Sequence, residues 1–260
     1  MLRIGMADLK PNIATLKCRG AQSTGRSTIV ENDGANPDCP RCGGSGFVRN
    51  SQGLVFECQC RNAVRNANYL KYSGLPKHFQ ERPLLNVSRE YIMRYGAIKE
   101  SGRNWLALMG RSGSGKTTQA YMIVSALLKR RNPVRAKIYY WSELVRELSS
   151  VRFDNDQYES KIDSILEPEL VVFDDFLDVV PKPESFEEQV ALTLVKRRYV
   201  RQAPLIITTE LTPDDFKRAM PRHCEAIFGR ILEMSDGRLD VARSSAVNYR
   251  FIKNKTGARI

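Results

Sequence analysis

The chain has 260 residues, of which 42% are hydrophobic, and its 41 basic and 29 acidic residues give a formal net charge of +12. This composition is that of a globular protein with room for one medium domain and a small module. The sequence has no run of 18 apolar residues, and Asp8 and Lys10 interrupt the beginning of the chain. We therefore expect neither a membrane span nor a secretory signal, and we expect the protein to be cytoplasmic.

Four segments follow one another along the chain. Residues 1–37 are polar without a sustained hydrophobic period, which predicts a flexible N-terminal arm. Residues 38–61 hold four cysteines, and residues 62–100 predict a helical connector that is interrupted at Gly74-Leu75-Pro76. Residues 101–260 alternate predicted strands and helices, which is typical of an α/β domain whose parallel sheet is covered on both faces. The predicted strands are 105–109, 137–141, 169–174 and 204–209, and the predicted helices are 116–130, 142–150, 185–201 and 213–219.

The cysteines of residues 38–61 form two close pairs. Cys39 and Cys42 make a CxxC motif, and Cys58 and Cys60 make a CxC motif that is separated from it by fifteen residues. Two such pairs on facing turns can supply four thiolates to a tetrahedral Zn²⁺ ion, which would provide much of the folding energy of so small a module. Disulfide bonds are the alternative, and a reducing compartment disfavours them. His78 is a remote substitute for the fourth ligand.

Short apolar runs at 47–48 and 54–56 predict the two strands of a hairpin within this module, and the glycines after the first cysteine pair suit a tight turn. Cys18 and Cys224 have no paired neighbour, so we interpret them as ordinary thiols.

A phosphate-binding loop follows the predicted strand 105–109. Its glycines allow the backbone to curl so that successive N–H groups face phosphate oxygens. Lys116 would bring a positive charge to the β- and γ-phosphates, and the Thr117 hydroxyl would ligate Mg²⁺. A glycine-rich turn that binds no ligand is the alternative. The predicted nucleotide contacts in this segment are Gly110, Arg111, Ser112, Gly113, Ser114, Gly115, Lys116, Thr117 and Thr118.

Two later strands are predicted to end beside this loop. Leu170 to Phe173 is an apolar run that leads into Asp174 and Asp175. Asp174 would join the Mg²⁺ shell, and Asp175 would orient the attacking water; the alternative is an exposed Asp-Asp turn. The run 205–209 ends in Thr208 and Thr209, whose hydroxyls would contact the γ-phosphate or the water, although threonine is also simply a good strand residue.

Basic residues cluster in three places. Together with the net charge they favour a nucleic-acid partner bound through counterion release, and solubility alone is the competing explanation. The clusters are Lys129, Arg130, Arg131 and Arg135; Lys196, Arg197, Arg198 and Arg201; and Arg243, Arg250, Lys253, Lys255 and Arg259.

Residues 74–252 resemble the DnaC/DnaI-type helicase loaders of the AAA+ ATPases and their relatives, the IstB-like helpers of DNA transposition. The resemblance rests on Gly74 to Phe79, the phosphate loop, Trp141 to Leu148, Leu170 to Phe176, Arg198-Tyr199 with 204–211, Phe228 to Leu232, and Asn248 to Arg250. The cysteine module is similar to the zinc-binding N-terminal region of DnaI-type loaders.

This resemblance implies an AAA+ fold, ATP hydrolysis with Mg²⁺, and self-assembly with ATP. It implies that Arg230 acts as an arginine finger on a neighbouring subunit, with Arg222 as a competitor, and that Arg250 contacts nucleotide in the same subunit. Glu210 departs from the family, which commonly has Asn at that position, so the sensor residue is left open.

Three functions are compatible with these features of the sequence. The first is an ATP-dependent loader that binds single-stranded DNA and a replicative helicase. The second is an IstB-like ATPase that delivers a transposase to target DNA, and the cysteine module favours the loader over it. The third is a DNA-binding adaptor whose nucleotide acts as a structural switch with little turnover.

Overall fold

A computed structural model describes residues 34–80, 91–93, 95–96, 100, 102–130, 132–177, 185–220, 223–235 and 239–241. Almost all of the predicted N-terminal arm therefore lies outside the described residues. The same holds for Arg222, for Arg250 and for the basic cluster at the end of the chain.

The described elements follow the predicted alternation of strands and helices. In chain order they are β1 (Phe47–Arg49), β2 (Val55–Glu57), α1 (Gln59–Tyr72), β3 (Trp105–Met109), α2 (Lys116–Leu128), β4 (Ala136–Tyr140), α3 (Trp141–Ser150), α4 (Asn155–Leu166), β5 (Leu170–Asp174), α5 (Phe186–Val200), β6 (Leu205–Thr209), α6 (Pro213–Ala219), α7 (Cys224–Met234) and β7 (Leu239–Val241). The predicted strands and helices are each found within one or two residues. The helices α4 and α7 and the strand β7 were not predicted.

Five of the described strands form the central parallel sheet, in the order β4-β5-β6-β3-β7. All five residues of β3, β5 and β6 are buried, as expected for strands covered on both faces. Along β3, Ala107 and Met109 join one hydrophobic cluster, whereas Leu106 and Leu108 join another. The alternation confirms the predicted doubly covered parallel sheet.

Different helices cover the two faces. The helices α3, α4, α5, α6 and α7 contribute to the cluster of Ala107 and Met109. The other face is covered by α2 and by the connector, which supplies Leu75 together with partly buried Tyr69, Leu70 and Phe79. The N–H of Ile138 in β4 donates to the carbonyl of Ser73 at 2.8 Å, so the end of α1 also lies against the sheet edge. The cysteine module is thus attached to the α/β domain through α1.

The cluster around Arg198 is not the basic surface that the sequence suggested. Arg198 is 1% exposed, and its guanidinium donates to backbone carbonyls, including those of Leu166, Pro168 and Pro204. Burial lowers the pKa of Arg198 to about 10. Arg197 pairs with Glu159 at 2.6 Å, so most of this cluster holds the fold together. A run of basic residues in the sequence does not reveal which of their side chains are buried.

Arg131 of the first cluster lies outside the described residues, and the other three members make contacts within the protein. Arg135 pairs with Glu167 at 2.8 Å, Lys129 donates to the carbonyl of Gln80, and Arg130 donates to that of Ile92. In the described part of the chain, no helix combines the length and apolarity needed to cross a bilayer.

Candidate nucleotide site and cysteine cluster

The predicted phosphate loop lies between the end of β3 and the start of α2. Gly110, Gly113 and Gly115 have φ angles of 136°, 78° and 92°, a region that residues with a Cβ atom adopt at a cost. Gly115 is immediately followed by α2, whose first residue is Lys116. The free N–H groups and the positive dipole end of α2 therefore face the loop, which is the arrangement that binds anions.

The Lys116 ammonium lies inside this loop. Its Nζ donates to the carbonyl of Gly110 at 2.7 Å and to that of Arg111 at 3.1 Å. The hydroxyl of Ser114 is buried and has no hydrogen-bond partner among the described residues. A loop with a buried cation and a buried, unpartnered donor fits a bound phosphate chain.

Asp174 at the end of β5 accepts three side-chain hydrogen bonds. Its Oδ1 accepts from the Thr117 hydroxyl at 3.0 Å and from the Thr208 hydroxyl at 2.6 Å. Its Oδ2 accepts from the Tyr121 hydroxyl at 2.6 Å. The structure thus brings Thr117 and Asp174 together, and this hydroxyl–carboxylate pair is the donor set that P-loop NTPases use for Mg²⁺.

Sequence reasoning missed Tyr121. It lies four residues after Thr117 on α2, so both hydroxyls project from the same helix face toward Asp174. Burial, reinforced by the hydrogen bond with Asp174, raises the pKa of Tyr121 far above its usual range. The tyrosine is therefore a permanent donor to the carboxylate. The Phe79 ring of the connector packs edge-on against it, with ring centroids 4.9 Å apart.

Asp175 extends beyond the strand with an exposed side chain. Its φ of 55° is left-handed, a conformation that Asp adopts more readily than most residues. Its N–H donates to the Thr208 hydroxyl at 2.9 Å. The backbone around Asp175 is therefore fixed, while its carboxylate lies at the surface beside Asp174. Its role toward water stays a prediction.

The two threonines of β6 use their hydroxyls within the protein. Thr208 donates to Asp174 and accepts from Asp175. Thr209 accepts from the N–H of Leu211 at 3.1 Å, and its carbonyl accepts from the N–H of Gly110 at 3.2 Å. The structure therefore shows these hydroxyls organising the sheet edge; the γ-phosphate contact predicted for them stays untested.

The remaining loop residues and the arginines are placed as follows. Arg111 and Ser112 are exposed, and Thr118 is partly buried in the first turn of α2. Arg230 on α7 donates to the carbonyl of Ala226, and its guanidinium lies 5.3 Å from the ring centroid of Tyr199. Tyr199 is near the end of α5, ahead of the start of β6, whereas the phosphate loop lies where β3 ends. The structure does not bring Arg230 to the phosphate loop of its own chain.

The four cysteines of the module meet in one cluster. Sγ atoms of Cys39, Cys42, Cys58 and Cys60 all lie within 4.8 Å of one another. The Cys39–Cys58 and Cys42–Cys60 Sγ distances are 3.8 Å and 3.5 Å. A disulfide needs about 2.0 Å, whereas thiolates at ~2.3 Å from a tetrahedral Zn²⁺ ion lie about 3.8 Å apart. The donor set and its spacing fit zinc.

Backbone N–H groups support the same interpretation. Those of Arg41 and Cys42 lower the pKa of Cys39 to about 6, and the N–H of Gly46 donates to the Cys42 sulfur at 3.3 Å. Burial raises the pKa of Cys60 to about 12, so the thiolate is favoured at Cys39 and not at Cys60. Among the described residues, the cluster includes four cysteines and no histidine. His78 instead lies beside the Phe79 ring, and Cys224 is buried in α7.

The family model described as IstB-like ATP binding protein matches residues 98–246. The chain belongs to this family. The match includes the phosphate loop, Asp174, Asp175 and the helix α7; it confirms the predicted AAA+ P-loop ATPase fold and supports ATP as the nucleotide that the domain binds. The IstB-like domain is preceded in this chain by the cysteine cluster, which could form a metal-binding module.

Three known proteins illustrate how far the similarity extends. The phage-like element PBSX protein XkdC of Bacillus subtilis strain 168 is 23% identical over 244 residues, covering 85% of this chain and 89% of XkdC. The uncharacterized protein YqaM of the same strain is 25% identical over 177 residues, covering 61% of this chain and 55% of YqaM. The chain thus spans about half the length of YqaM. The DnaC helicase loader structure has a TM-score of 0.49 and 19% identity, covering 64% of this chain and 99% of that one.

Proposed function

We propose that this protein is an ATP-dependent loader of a replicative helicase in DNA replication, which binds single-stranded DNA. The observation that carries the proposal is the attachment of a four-cysteine module to an IstB-like ATPase domain through α1. An ATPase domain that is connected to a separate module can couple ATP binding to the position of a partner protein.

The chain's own residues supply the parts of an ATPase. The N–H groups of the loop and the Lys116 ammonium bind the phosphates, and the Thr117 hydroxyl and the Asp174 carboxylate hold Mg²⁺. The metal ion, when bound, neutralises charge on the phosphate oxygens. The Asp175 carboxylate orients the attacking water and assists the removal of a proton from this water. Arg230 supplies positive charge to the site of a neighbouring subunit in an ATP-dependent assembly.

The hairpin of the cysteine module presents the surface that contacts the helicase. Phe47, Leu54, Val55 and Phe56 are between 45% and 56% exposed. The β1–β2 register places Phe47 and Val55 on one face of the hairpin and Phe56 on the other. Exposed apolar side chains on both faces of so short a hairpin favour a protein-interaction surface. Zinc bound at the four cysteines would hold this hairpin in shape, so the metal serves the docking surface.

Single-stranded DNA is bound at the turn between α3 and α4. Phe153 in this turn is 89% exposed, and the Arg152 guanidinium lies 4.5 Å from its ring centroid. An exposed ring beside a guanidinium is a stacking platform for unpaired bases, with a positive charge for the phosphates. This pair supports DNA binding better than the two basic clusters around Arg130 and Arg198, whose described arginines make contacts within the protein.

Replacing Phe153 with alanine should weaken binding of a single-stranded oligonucleotide by about tenfold, since stacking of one base contributes ~1–3 kcal/mol. Fluorescence anisotropy with labelled oligothymidine measures the dissociation constant. Val200→Ala is the matched control because Val200 is also an exposed apolar side chain, 72% exposed, on α5. Phe153→Tyr should retain the affinity. Equal affinities of wild type and Phe153→Ala for the oligonucleotide would contradict the proposed DNA contact.

An IstB-like helper of DNA transposition is the second candidate, and the family match over residues 98–246 favours it. Both candidates use the same ATP site and differ in the protein cargo. A DNA-binding adaptor with little turnover is distinguished from both by measuring phosphate release with and without single-stranded DNA. Turnover that DNA stimulates supports the two ATPase candidates.

A further inference from the structure

The Lys116 ammonium has a carboxylate beside it that the phosphate-loop motif does not include. The Oε1 atom of Glu210 lies 3.9 Å from the Nζ atom of Lys116. Lys116 is 6% exposed, whereas Glu210 is 42% exposed. The pair therefore joins a buried cation to an exposed anion.

The other described contacts of Lys116 are neutral. Two of its protons go to the carbonyl oxygens of Gly110 and Arg111. Glu210 is the carboxylate that lies within 4.0 Å of this ammonium in the part of the chain described. A buried ammonium is costly without a counter-charge, and Glu210 supplies it.

The position of Glu210 is fixed by the loop itself. The preceding residue, Thr209, accepts the N–H of Gly110 at 3.2 Å, and its hydroxyl accepts the N–H of Leu211 at 3.1 Å. The backbone before Glu210 is therefore tied to the first residue of the phosphate loop, and the backbone after it is held by the Thr209 side chain. Its carboxylate is held near the ammonium although the side chain is partly exposed.

We propose that Glu210 is a positioning residue that competes with nucleotide phosphate for Lys116 and thereby weakens nucleotide binding. This inference rests on the proposed ATP-binding role of Lys116. A phosphate chain that approaches Lys116 meets the negative charge of Glu210 a few ångströms away, so binding must displace the carboxylate or tolerate its repulsion. Before nucleotide binds, the same carboxylate neutralises the ammonium and keeps it in the loop.

The variant Glu210→Gln tests the proposal because glutamine keeps the shape of the side chain and removes its charge. We expect its dissociation constant for ATP to fall by about tenfold, an interaction of ~1.4 kcal/mol, with kcat within about threefold of wild type. Equilibrium dialysis with labelled ATP gives the affinity, and phosphate release gives kcat and KM. Glu143→Gln is the matched control, since it removes an exposed carboxylate on α3 and changes the net charge equally.

Two further readouts separate a charge effect from a structural one. The affinity gap between wild type and Glu210→Gln should narrow as salt rises, because ions screen a partly exposed pair. Glu210→Asp, which keeps the charge, should bind ATP within about threefold of wild type, whereas a structural role would make both variants weaker.

The outcomes are distinguishable from a failure of the ATP site itself. Unchanged or weaker ATP binding in Glu210→Gln, with wild-type binding that depends on Lys116, overturns this inference alone. A loss of kcat of about a hundredfold in the same variant also overturns it, since Glu210 would then act in the chemical step. ATP binding that does not depend on Lys116 would instead overturn the proposed function.

Discussion

Replacing Lys116 with alanine abolishes ATP turnover, with a loss of at least about a hundredfold in kcat/KM. Removing one preorganised donor that stabilises charge in a transition state typically costs a factor of ~10²–10³. Lys116 is the buried cation of the loop and contacts the Gly110 carbonyl at 2.7 Å, so its loss removes positive charge where the phosphates bind. Phosphate release measured over a range of Mg-ATP concentrations gives kcat/KM.

Lys196→Ala is the matched control for this experiment. Lys196 is an exposed lysine on α5, and its removal changes the net charge by the same amount. We expect the control to turn over ATP at the wild-type rate. Equal urea midpoints for both variants and wild type would show that the loss is not unfolding. ATP turnover at the wild-type rate in Lys116→Ala would contradict the assignment of the phosphate loop to the ATP site.

Removing metal from the cysteine module unfolds that module and leaves the ATPase domain folded. Structural zinc in small modules contributes roughly 10–16 kcal/mol of apparent binding free energy, and the two strands β1 and β2 have three residues each. We expect about one zinc ion per purified chain by elemental analysis. A strong chelator should then make the 47–57 segment susceptible to protease, while ATP binding persists.

The double variant Cys42→Ser/Cys60→Ser should purify without zinc, because it removes one thiolate from each close pair. Cys224→Ser is the control, since Cys224 is a buried cysteine in α7 outside the cluster, and this variant should keep its zinc. A metal-free wild-type protein whose hairpin resists protease would contradict zinc binding at this cluster.

The sequence predicted the sheet and the phosphate loop because both are local patterns. Each of these patterns can be recognised from a short stretch of sequence alone, as in the apolar strands 105–109 and 205–209 and the glycines before Lys116. The helix α4 was missed because only Ile162, Ile165 and Leu166 of its residues are buried, so its hydrophobic period is weak. The strand β7 has three residues, too few for a periodic signal.

The site was predicted less completely, because hydrogen bonds between distant residues leave little trace in a single sequence. Asp174 was found from its position after a strand. Tyr121 reaches the same carboxylate from 53 residues away. Likewise, the ion pair of Lys116 with Glu210 depends on two strand ends that meet only in the folded sheet. Arg198 shows the reverse case, since a basic run in the sequence proved to contain a buried structural residue.

The proposed function is tested most directly by identifying the partner protein that the chain binds. The purified full chain should be mixed with a hexameric replicative helicase, and separately with a transposase, in the presence of Mg-ATP, and each mixture analysed by size-exclusion chromatography. We expect a stable complex with the helicase, and we expect Phe47→Ser/Phe56→Ser to weaken it, since these exposed rings lie on the docking hairpin. A stable complex with the transposase and none with the helicase would contradict the loader function.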